Sequence, residues 1–244
     1  GDVYKRQVYN VEDYVAKCLD SLISPAAEAL SRGEKPDYEI IAVNDGSTDS
    51  SPAIVQDYVN HYPQFIRLIT TENMGQGHAR NVGIDEAQGE YLYFIDSDDY
   101  LAPGAMGEML RTLDGSYDIL IFDSIAMNVD GGEINYYRGC SRAENIDLKN
   151  FPELLLENPI CGGSICRKSI YTDNAIRFPS RVWFEDFRTL LKLYAFTDKI
   201  AYTPKAWHRY LQRSGSVTNN KNAERNLETV SYTHLRAHET RHDL

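Results

Sequence analysis

The sequence predicts an α/β fold with a mostly parallel central sheet flanked by helices. Three times in the first half of the chain, an apolar stretch typical of a buried strand ends in a polar turn and is followed by a helical segment. This repetition indicates a parallel sheet, because parallel strands need a long crossover connection, usually a helix. Ligands of such folds gather at the carboxyl ends of the strands, so the polar turns are the first candidates for a functional site.

The individual elements follow from the spacing of apolar residues. The first helix is predicted at residues 11–23, with Asn10 as its N-cap. The repeated strands are predicted at residues 38–44, 66–70 and 91–95, and the helices after them begin at Ser51, after the loop at 73–77 and after Pro103. The second half is less regular, with a hairpin predicted at 117–129 and 134–138, helices at 150–157 and 185–195, and short strands at 200–210 interrupted by Pro204.

The composition excludes several classes of protein. A chain of 244 residues with 42% hydrophobic residues can bury the core of one domain. Its net charge of -11 argues against a sequence-independent nucleic-acid binder, since such proteins need a basic surface to neutralise phosphate. The longest apolar runs are far shorter than the roughly 20 residues that a membrane-spanning helix requires. The four cysteines form no Cys-x-x-Cys pair and are too few for a disulfide scaffold, so we expect reduced thiols.

Both ends of the chain look foreign to the rest. Residues 1–7 and 231–244 resemble translated sequencing-adapter sequence, and the second segment lacks an apolar face at helix or strand spacing. We expect both segments to be foreign or disordered tails. Three of the six histidines lie in the second segment, at positions 234, 238 and 242, and we interpret them as part of a polar tail and not as a metal site.

The strongest candidate for a metal site is the sequence Asp-Ser-Asp-Asp at residues 96–99, directly after an apolar strand. The carboxylates of Asp96, Asp98 and Asp99 crowd where this strand meets solvent, and a cation would offset their mutual repulsion. Mg²⁺ and Mn²⁺ prefer oxygen ligands and commonly combine one or two carboxylates with phosphate oxygens of a substrate. The alternative is an acidic turn that caps the following helix, because aspartate also favours helix N-termini.

Two further motifs lie near strand ends. Asp45 follows the strand predicted at 38–44, where it could accept hydrogen bonds from a base or a ribose, whereas a simple turn with a helix cap explains the serines that follow it. A glycine-rich loop at residues 73–77 leads into a helix that presents Arg80. Glycine loops at helix starts can bind phosphate, but the spacing here fits no phosphate-loop pattern.

The order of these motifs is more specific than any one of them. Val-Asn-Asp-Gly-Ser-Thr-Asp-Ser, Asn-x-Gly-x-Gly-x-Ala-Arg-Asn-x-Gly and Gly-x-Tyr-x-x-Phe-x-Asp-Ser-Asp-Asp follow one another along the chain. In this order they resemble the family 2 glycosyltransferases, which have the GT-A fold, and the resemblance covers residues 8–219. Val8-Tyr9-Asn10 is similar to the end of the family's first strand, but Gln7 stands where the family has proline. The resemblance therefore implies a truncated first strand.

The resemblance also implies a role for each candidate residue. The donor nucleotide sugar would be bound by Tyr9, Asp45, Arg80, Asp96, Asp98 and Arg213. Asp98 would coordinate Mn²⁺ or Mg²⁺ on the donor diphosphate, with Asp96 and Asp99 as further metal ligands. The Glu-Asp pair at 185–186 corresponds to the family's pair whose aspartate is the catalytic base, so Asp186 would be the base. Its alternative role is to stabilise a helix N-terminus.

The implied domain and activity follow from the same resemblance. One domain would span residues 8–230, with a nucleotide-binding half at about 8–125 and an acceptor half at about 126–230. A sugar would pass with inversion from a nucleotide diphosphate donor, for which UDP is the expected nucleotide, to a hydroxyl of a glycan or lipid-linked acceptor. The implied setting is bacterial cell-surface polysaccharide synthesis in the cytoplasm, without nucleic acid as a partner and with peripheral contact at the inner membrane left open.

Two other functions stay open. A nucleotide-sugar or glycan binding module could keep the fold without turnover, although Asp98 and Asp186 argue against it. A nucleotidyltransferase on a related fold is the second, but the early glycine-rich basic loop expected there is absent. The aromatic residues Trp183, Trp207 and Tyr210 are candidates either for a sugar platform or for the core.

Overall fold

The computed structural model describes residues 2–144, 146–157, 160–182 and 185–213, which form a nine-stranded sheet with helices on both faces. The strands are β1 Asp2–Val8, β2 Tyr38–Asp45, β3 Ile66–Thr71, β4 Tyr91–Phe94, β5 Tyr100–Leu101, β6 Ile119–Met127, β7 Glu133–Tyr137, β8 Ser164–Arg167 and β9 Ile200–Leu211. The α-helices are α1 Val15–Ser31, α2 Ser51–His61, α3 Gln76–Glu86, α4 Ala105–Thr112, α5 Lys168–Asp173 and α6 Glu185–Leu193. Short 3-10 helices lie at Pro152–Leu156, Cys161–Gly163 and Tyr194–Phe196.

The sheet has a parallel half and a mixed half. Strands β3, β2, β1 and β4 are neighbours in that order and run parallel, with helical crossovers between them. Strands β8, β6, β9 and β5 continue the sheet, and only the β6–β9 pair among them is parallel. Strand β7 forms the predicted hairpin with β6. The α/β class is confirmed, while the parallel character holds for one half of the sheet.

Two apolar layers cover the two faces of the sheet. One layer packs α1, α2 and α4 against residues such as Ile40 and Tyr93. The other packs α3, α5 and α6 against their neighbours in sequence, Ile41 and Phe94. Adjacent strand residues point to opposite faces, so a strand covered on both faces is apolar throughout. This burial explains the continuous apolar runs in the sequence.

The four cysteines belong to these layers. All are free and buried, at positions 18, 140, 161 and 166. Cys18 lies on the apolar stripe of α1, as its spacing predicts. Burial raises the pKa of the Cys161 thiol well above its usual value and that of Cys166 to about 12, so both are held as neutral thiols.

The amino-terminal segment departs from expectation. Residues 2–7 were expected in a tail outside the fold, and the first strand was expected to be truncated, yet β1 is seven residues long. It pairs with β2 over its whole length and with β4 at three positions. Without it, the facing edges of β2 and β4 would lose their hydrogen-bond partners, so the backbone fills this place despite the unusual sequence. The segment at 231–244 lies outside the described residues.

Helix capping also differs from the sequence rules. Helix α1 begins at Val15, and Asn10 does not cap it. Asn10 adopts φ 49°, and its side-chain oxygen accepts the backbone N–H of Thr48. The Ser51 hydroxyl accepts the Val11 N–H and does not cap α2. The polar groups of two loops distant in sequence therefore satisfy each other, which local capping rules do not anticipate.

Several second-half boundaries changed as well. Strand β9 is continuous through Pro204. The register of its pairing with β6 shifts between Phe122 and Ser124, which leaves the proline out of the paired positions. The helix expected at 150–157 is a 3-10 helix, and the expected boundary between halves at residue 125 falls inside β6. The short elements β5, β8 and α5 were not predicted. Within the described ranges, no helix combines the length and apolarity needed to cross a bilayer.

Candidate functional site

The candidate site lies at the carboxyl ends of the parallel strands. The turn after β2 carries Asp45, the turn after β4 carries the acidic residues, and the exposed Tyr9 follows β1 between them. The first turn of α6 carries Glu185 and Asp186, and the ion pair of Glu185 with Arg80 connects this turn to the site. The topology therefore brings together residues that are far apart in sequence, at the edge where α/β sheets bind ligands.

Asp45 holds the glycine loop. Its side chain is fully buried, and its two carboxylate oxygens accept the backbone N–H groups of Met74 and Gly75, each at 2.8 Å. Because the carboxylate has no exposed surface, a contact with a nucleoside would require this loop to move. The geometry thus gives Asp45 a positioning role in the conformation described, and its contact with the donor stays a prediction.

The three aspartates of the acidic turn have different environments. The exposed fractions of the Asp96, Asp98 and Asp99 side chains are 46%, 20% and 4%. Asp99 accepts the Leu211 N–H at 2.8 Å and lies 3.0 Å from His208 Nε2, so both of its oxygens are engaged by β9. Burial raises the pKa of Asp99 to about 6, although His208 opposes the shift. Both Asp99 oxygens are therefore occupied within the protein, and a role of Asp99 as a metal ligand stays a prediction that would require these contacts to break.

Asp98 and Asp96 retain the character of a cation site. Asp98 accepts a 2.8 Å hydrogen bond from Arg213 Nε. Burial and then the charge of Asp96 raise the pKa of Asp98, while Arg213 lowers it. Among the described residues, no three His, Cys, Asp or Glu side chains are grouped to hold a metal ion. Two neighbouring carboxylates nevertheless fit Mg²⁺ or Mn²⁺, which take their other ligands from substrate phosphates and water.

Arg80 links the acidic turn to α6. Its guanidinium, 5% exposed, lies 2.9 Å from Asp96 Oδ1 and also forms an ion pair with Glu185. It lies 5.5 Å from the centre of the Phe178 ring. Burial opposes its charge, but the carboxylates of Asp96 and Asp186 are among the groups that raise its pKa. Arg80 was expected to bind the nucleotide, and in this structure its visible contacts are with the protein's own carboxylates.

Asp186 shares the electrostatic environment of Arg80. It is half-buried in the first turn of α6, where its Oδ1 accepts the N–H of Phe187. Burial raises its pKa, the charge of Arg80 lowers it, and Asp96 raises it again. A carboxylate with a raised pKa is a better proton acceptor than an ordinary aspartate, provided that it remains ionised. The candidate base and the acidic turn therefore belong to one site.

Glu185 is the positioning residue that the sequence analysis did not single out. It is fully buried, contacts Arg80, and accepts a 2.6 Å hydrogen bond from Gln76 Nε2. Fully buried glutamates are rare unless they are paired. The sequence signal for Glu185 was its position directly before the candidate base. Its pairing with Arg80, more than 100 positions away, cannot be predicted from the spacing of residues.

The glycine loop serves close packing between chain segments. A Cβ atom at Gly77 would overlap the carbonyl oxygen of Pro179, and one at Gly75 would lie 3.3 Å from the Arg181 nitrogen. Gly75 also has φ 86°, a conformation that favours glycine. The glycines thus let the segment before α6 approach α3, which explains their spacing without a phosphate loop.

The family follows from comparison with known sequences. The model of glycosyl transferase family 2 matches residues 7–176 of this chain. The chain belongs to glycosyl transferase family 2. This family 2 member is 31% identical over 216 residues to the putative glycosyltransferase EpsH of Bacillus subtilis, and the match covers 86% of the chain and 60% of EpsH. It is 28% identical over 210 residues to the poly(ribitol-phosphate) beta-N-acetylglucosaminyltransferase TarS of Staphylococcus aureus, over 85% of the chain and 35% of TarS.

Solved structures confirm the GT-A fold of this family 2 member. The crystal structure of S. aureus TarS 1–349 in complex with UDP-GlcNAc matches with a TM-score of 0.70 at 26% identity, over 88% of the chain and 59% of the TarS chain. The mannosyltransferase PcManGT from Pyrobaculum calidifontis in complex with GDP-Man and Mn²⁺ shares the fold, with a TM-score of 0.60 at 16% identity over 88% and 58% of the two chains. The chain thus spans less than two thirds of these relatives.

The aromatic residues proposed as a sugar platform separate into different roles. Trp207 is buried, donates its indole N–H to Glu108 at 2.9 Å, and packs against Phe122. It is a core residue and cannot stack on a sugar. Tyr210 is half-buried, and Trp183 lies outside the described residues.

We expect Gly77→Ala to destabilise this family 2 member by about 1–3 kcal/mol, because the methyl group overlaps backbone that cannot move independently. Urea unfolding followed by circular dichroism measures the effect. Gly107→Ala is the matched control, since the added Cβ meets the flexible end of the Arg111 side chain and lies in ordinary contact with Pro25, and alanine favours the helix. A Gly77→Ala protein as stable as wild type would contradict the packing role.

We expect Glu185→Gln to cost about 3–5 kcal/mol of unfolding free energy, because it removes one partner of a buried ion pair. Glu34→Gln serves as the control, since the Arg32–Glu34 pair is exposed and such pairs contribute little. The two midpoints in urea provide the comparison. Equal midpoints would show that Glu185 does not anchor Arg80.

Proposed function

We propose that the chain is an inverting glycosyltransferase that transfers a sugar from a UDP-sugar to a hydroxyl of a glycan or lipid-linked acceptor in cell-surface polysaccharide synthesis. One observation carries the proposal. Asp186, the candidate base, interacts electrostatically with Arg80, and Arg80 pairs with both Glu185, the residue before the base, and Asp96 of the donor-side turn, the latter at 2.9 Å. A base next to a donor site is the arrangement that direct displacement at a sugar carbon requires.

The choice of donor and setting is supported by relatives. The matched TarS structure contains UDP-GlcNAc, and TarS is named for the transfer of N-acetylglucosamine to poly(ribitol-phosphate). UDP-GlcNAc is therefore the first donor to test. The proposed acceptor is a growing glycan or a lipid-linked one, with the protein in the cytoplasm or peripherally at the inner face of the membrane.

The base acts on the acceptor. In the proposed reaction, Asp186 accepts the proton of the acceptor hydroxyl as its oxygen bonds to the anomeric carbon, and the bond to the donor diphosphate breaks on the opposite side. The anomeric configuration inverts as a consequence. Arg80 keeps Asp186 ionised in spite of its burial, and Glu185 holds Arg80 in place. The three residues thus divide proton transfer, charge balance and positioning among them.

Metal binding is the second part of the proposal. Asp98 and Asp96 would hold Mn²⁺ or Mg²⁺, which supplies positive charge for the diphosphate leaving group when it is bound. Arg213, at 2.8 Å from Asp98, adds a positive side chain at the same turn. Tyr9 is accessible at the end of β1 and is proposed to contact the donor. The alternative is a nucleotide-sugar or glycan binding module, which would bind UDP without releasing it from the sugar.

We expect Asp186→Asn to lower the rate of UDP release from UDP-GlcNAc by at least about 100-fold, because general base catalysis contributes factors of this size. Its affinity for UDP with Mn²⁺ should remain. Asp98→Asn should lose both UDP affinity and turnover. Asp130→Asn in the exposed hairpin turn is the control. Coupled UDP detection and calorimetry measure the two quantities, and wild-type UDP binding without any release would favour the binding module.

The proposed base predicts a pH profile. Activity requires ionised Asp186, so kcat/KM should rise with pH through its pKa, and the raised pKa places this acid limb above the usual range of aspartate. Asp96→Asn removes a charge that raises this pKa, so the limb should move to lower pH. Initial rates across a pH series measure the shift. A limb that moves upward or stays in place would contradict the assignment of Asp186.

A further inference from the structure

A chain of buried polar side chains connects β4, β9 and the acidic turn next to the candidate site. His208 on β9 is 1% exposed, and its Nε2 lies 3.0 Å from Asp99 Oδ2. Its Nδ1 lies 2.9 Å from the hydroxyl of Tyr93 on β4. Asp99 belongs to the acidic turn, where its N–H donates to the Asp96 carbonyl oxygen. The imidazole therefore ties the turn that carries Asp96 and Asp98 to two strands.

The same imidazole packs against the 3-10 helix Cys161–Gly163. A Cβ atom at Gly162 would overlap the His208 ring, so the glycine allows direct contact between backbone and imidazole. The Tyr93 hydroxyl also lies 3.4 Å from the Gly162 carbonyl oxygen. The 3-10 helix is thus held by the ring and by the hydroxyl together, in a region that is closely packed.

This 3-10 helix reaches the candidate base. The Cys161 backbone lies close enough to the Asp186 carboxylate to lower its pKa, and the Cys161 thiol interacts electrostatically with Arg80, Asp186 and Asp96. Contacts therefore run from the acidic turn through His208 to the 3-10 helix at Gly162, and Cys161 of that helix lies in the electrostatic environment of Asp186. The two ends of this path are the donor side and the acceptor side of the proposed site.

We propose that His208 is a positioning residue that fixes the distance between the acidic turn and the base. The inference rests on the proposed function, because it assigns roles to Asp98 and Asp186. His208 is buried and touches neither substrate directly. Its ring sets the position of Asp99, and hence of Asp98, against the 3-10 helix that orients Asp186. Small displacements of reacting groups reduce rates strongly, so loosening this contact should be visible in catalysis.

The test compares His208→Ala, His208→Gln and Tyr93→Phe in the full chain. With UDP-GlcNAc and Mn²⁺, we expect His208→Ala to lower kcat by about tenfold and to weaken UDP binding in the presence of Mn²⁺ by about fivefold. His208→Gln should recover most of both quantities, because its amide nitrogen can replace Nε2 as the donor to Asp99. Tyr93→Phe should show a smaller loss in kcat, since the ring keeps its contact with Asp99.

Tyr38→Phe is the matched control. Tyr38 is a buried tyrosine at the start of β2, distant from the site, and its hydroxyl bonds to the backbone of Leu22 and Ala26. It should lower the melting temperature as Tyr93→Phe does and leave kcat and UDP affinity unchanged. If His208→Ala folds and keeps both quantities within about twofold of Tyr38→Phe, the positioning role is overturned. A wild-type protein that neither binds UDP nor releases it would overturn the proposed function and this inference together.

Discussion

The buried charge of Arg80 is the interaction on which the site depends. A guanidinium removed from water must be matched by carboxylates, and here they come from the turn after β4 and from α6. Arg80 therefore holds Asp96 and Glu185 close together, although they lie about 90 positions apart in the sequence. The charge of Arg80 also lowers the pKa of Asp186 against the larger, opposite effect of burial, so the arginine that links the two segments also acts on the candidate base.

The sequence predicted the parts of the fold that depend on local spacing. The strands β2, β3 and β4 and the helices after them were placed within a few residues, because strands buried on both faces give continuous apolar runs. The elements β5, β8 and α5 were missed, since two to six residues are too few to show a period. Strand β1 was missed because its backbone pairs with β2 and β4, and such pairing between segments distant in sequence cannot be read from local spacing.

The site was predictable in outline for a similar reason. Residues at strand ends converge in any parallel sheet, so Asp45 at the end of β2 and Asp96 and Asp98 after β4 lie at one edge of the sheet. Their individual contacts depend on long-range packing. Asp99 contacts His208, and Gly77 of the glycine-rich segment allows the backbone of Pro179 to pack closely against it. Motif order can therefore identify a family and a region, while the division of labour among neighbouring carboxylates depends on what buries each one.

The burial of all four cysteines gives the protein a built-in reporter. A thiol reagent attacks the thiolate, and both burial and a raised pKa suppress that form at Cys161 and Cys166. Alkylation of these cysteines therefore requires local opening of the surrounding structure, and the alkylation rate measures how often this opening occurs. Because Cys161 interacts electrostatically with both Arg80 and Asp186, the rate of its alkylation reports local opening at the candidate site, separately from opening elsewhere in the core.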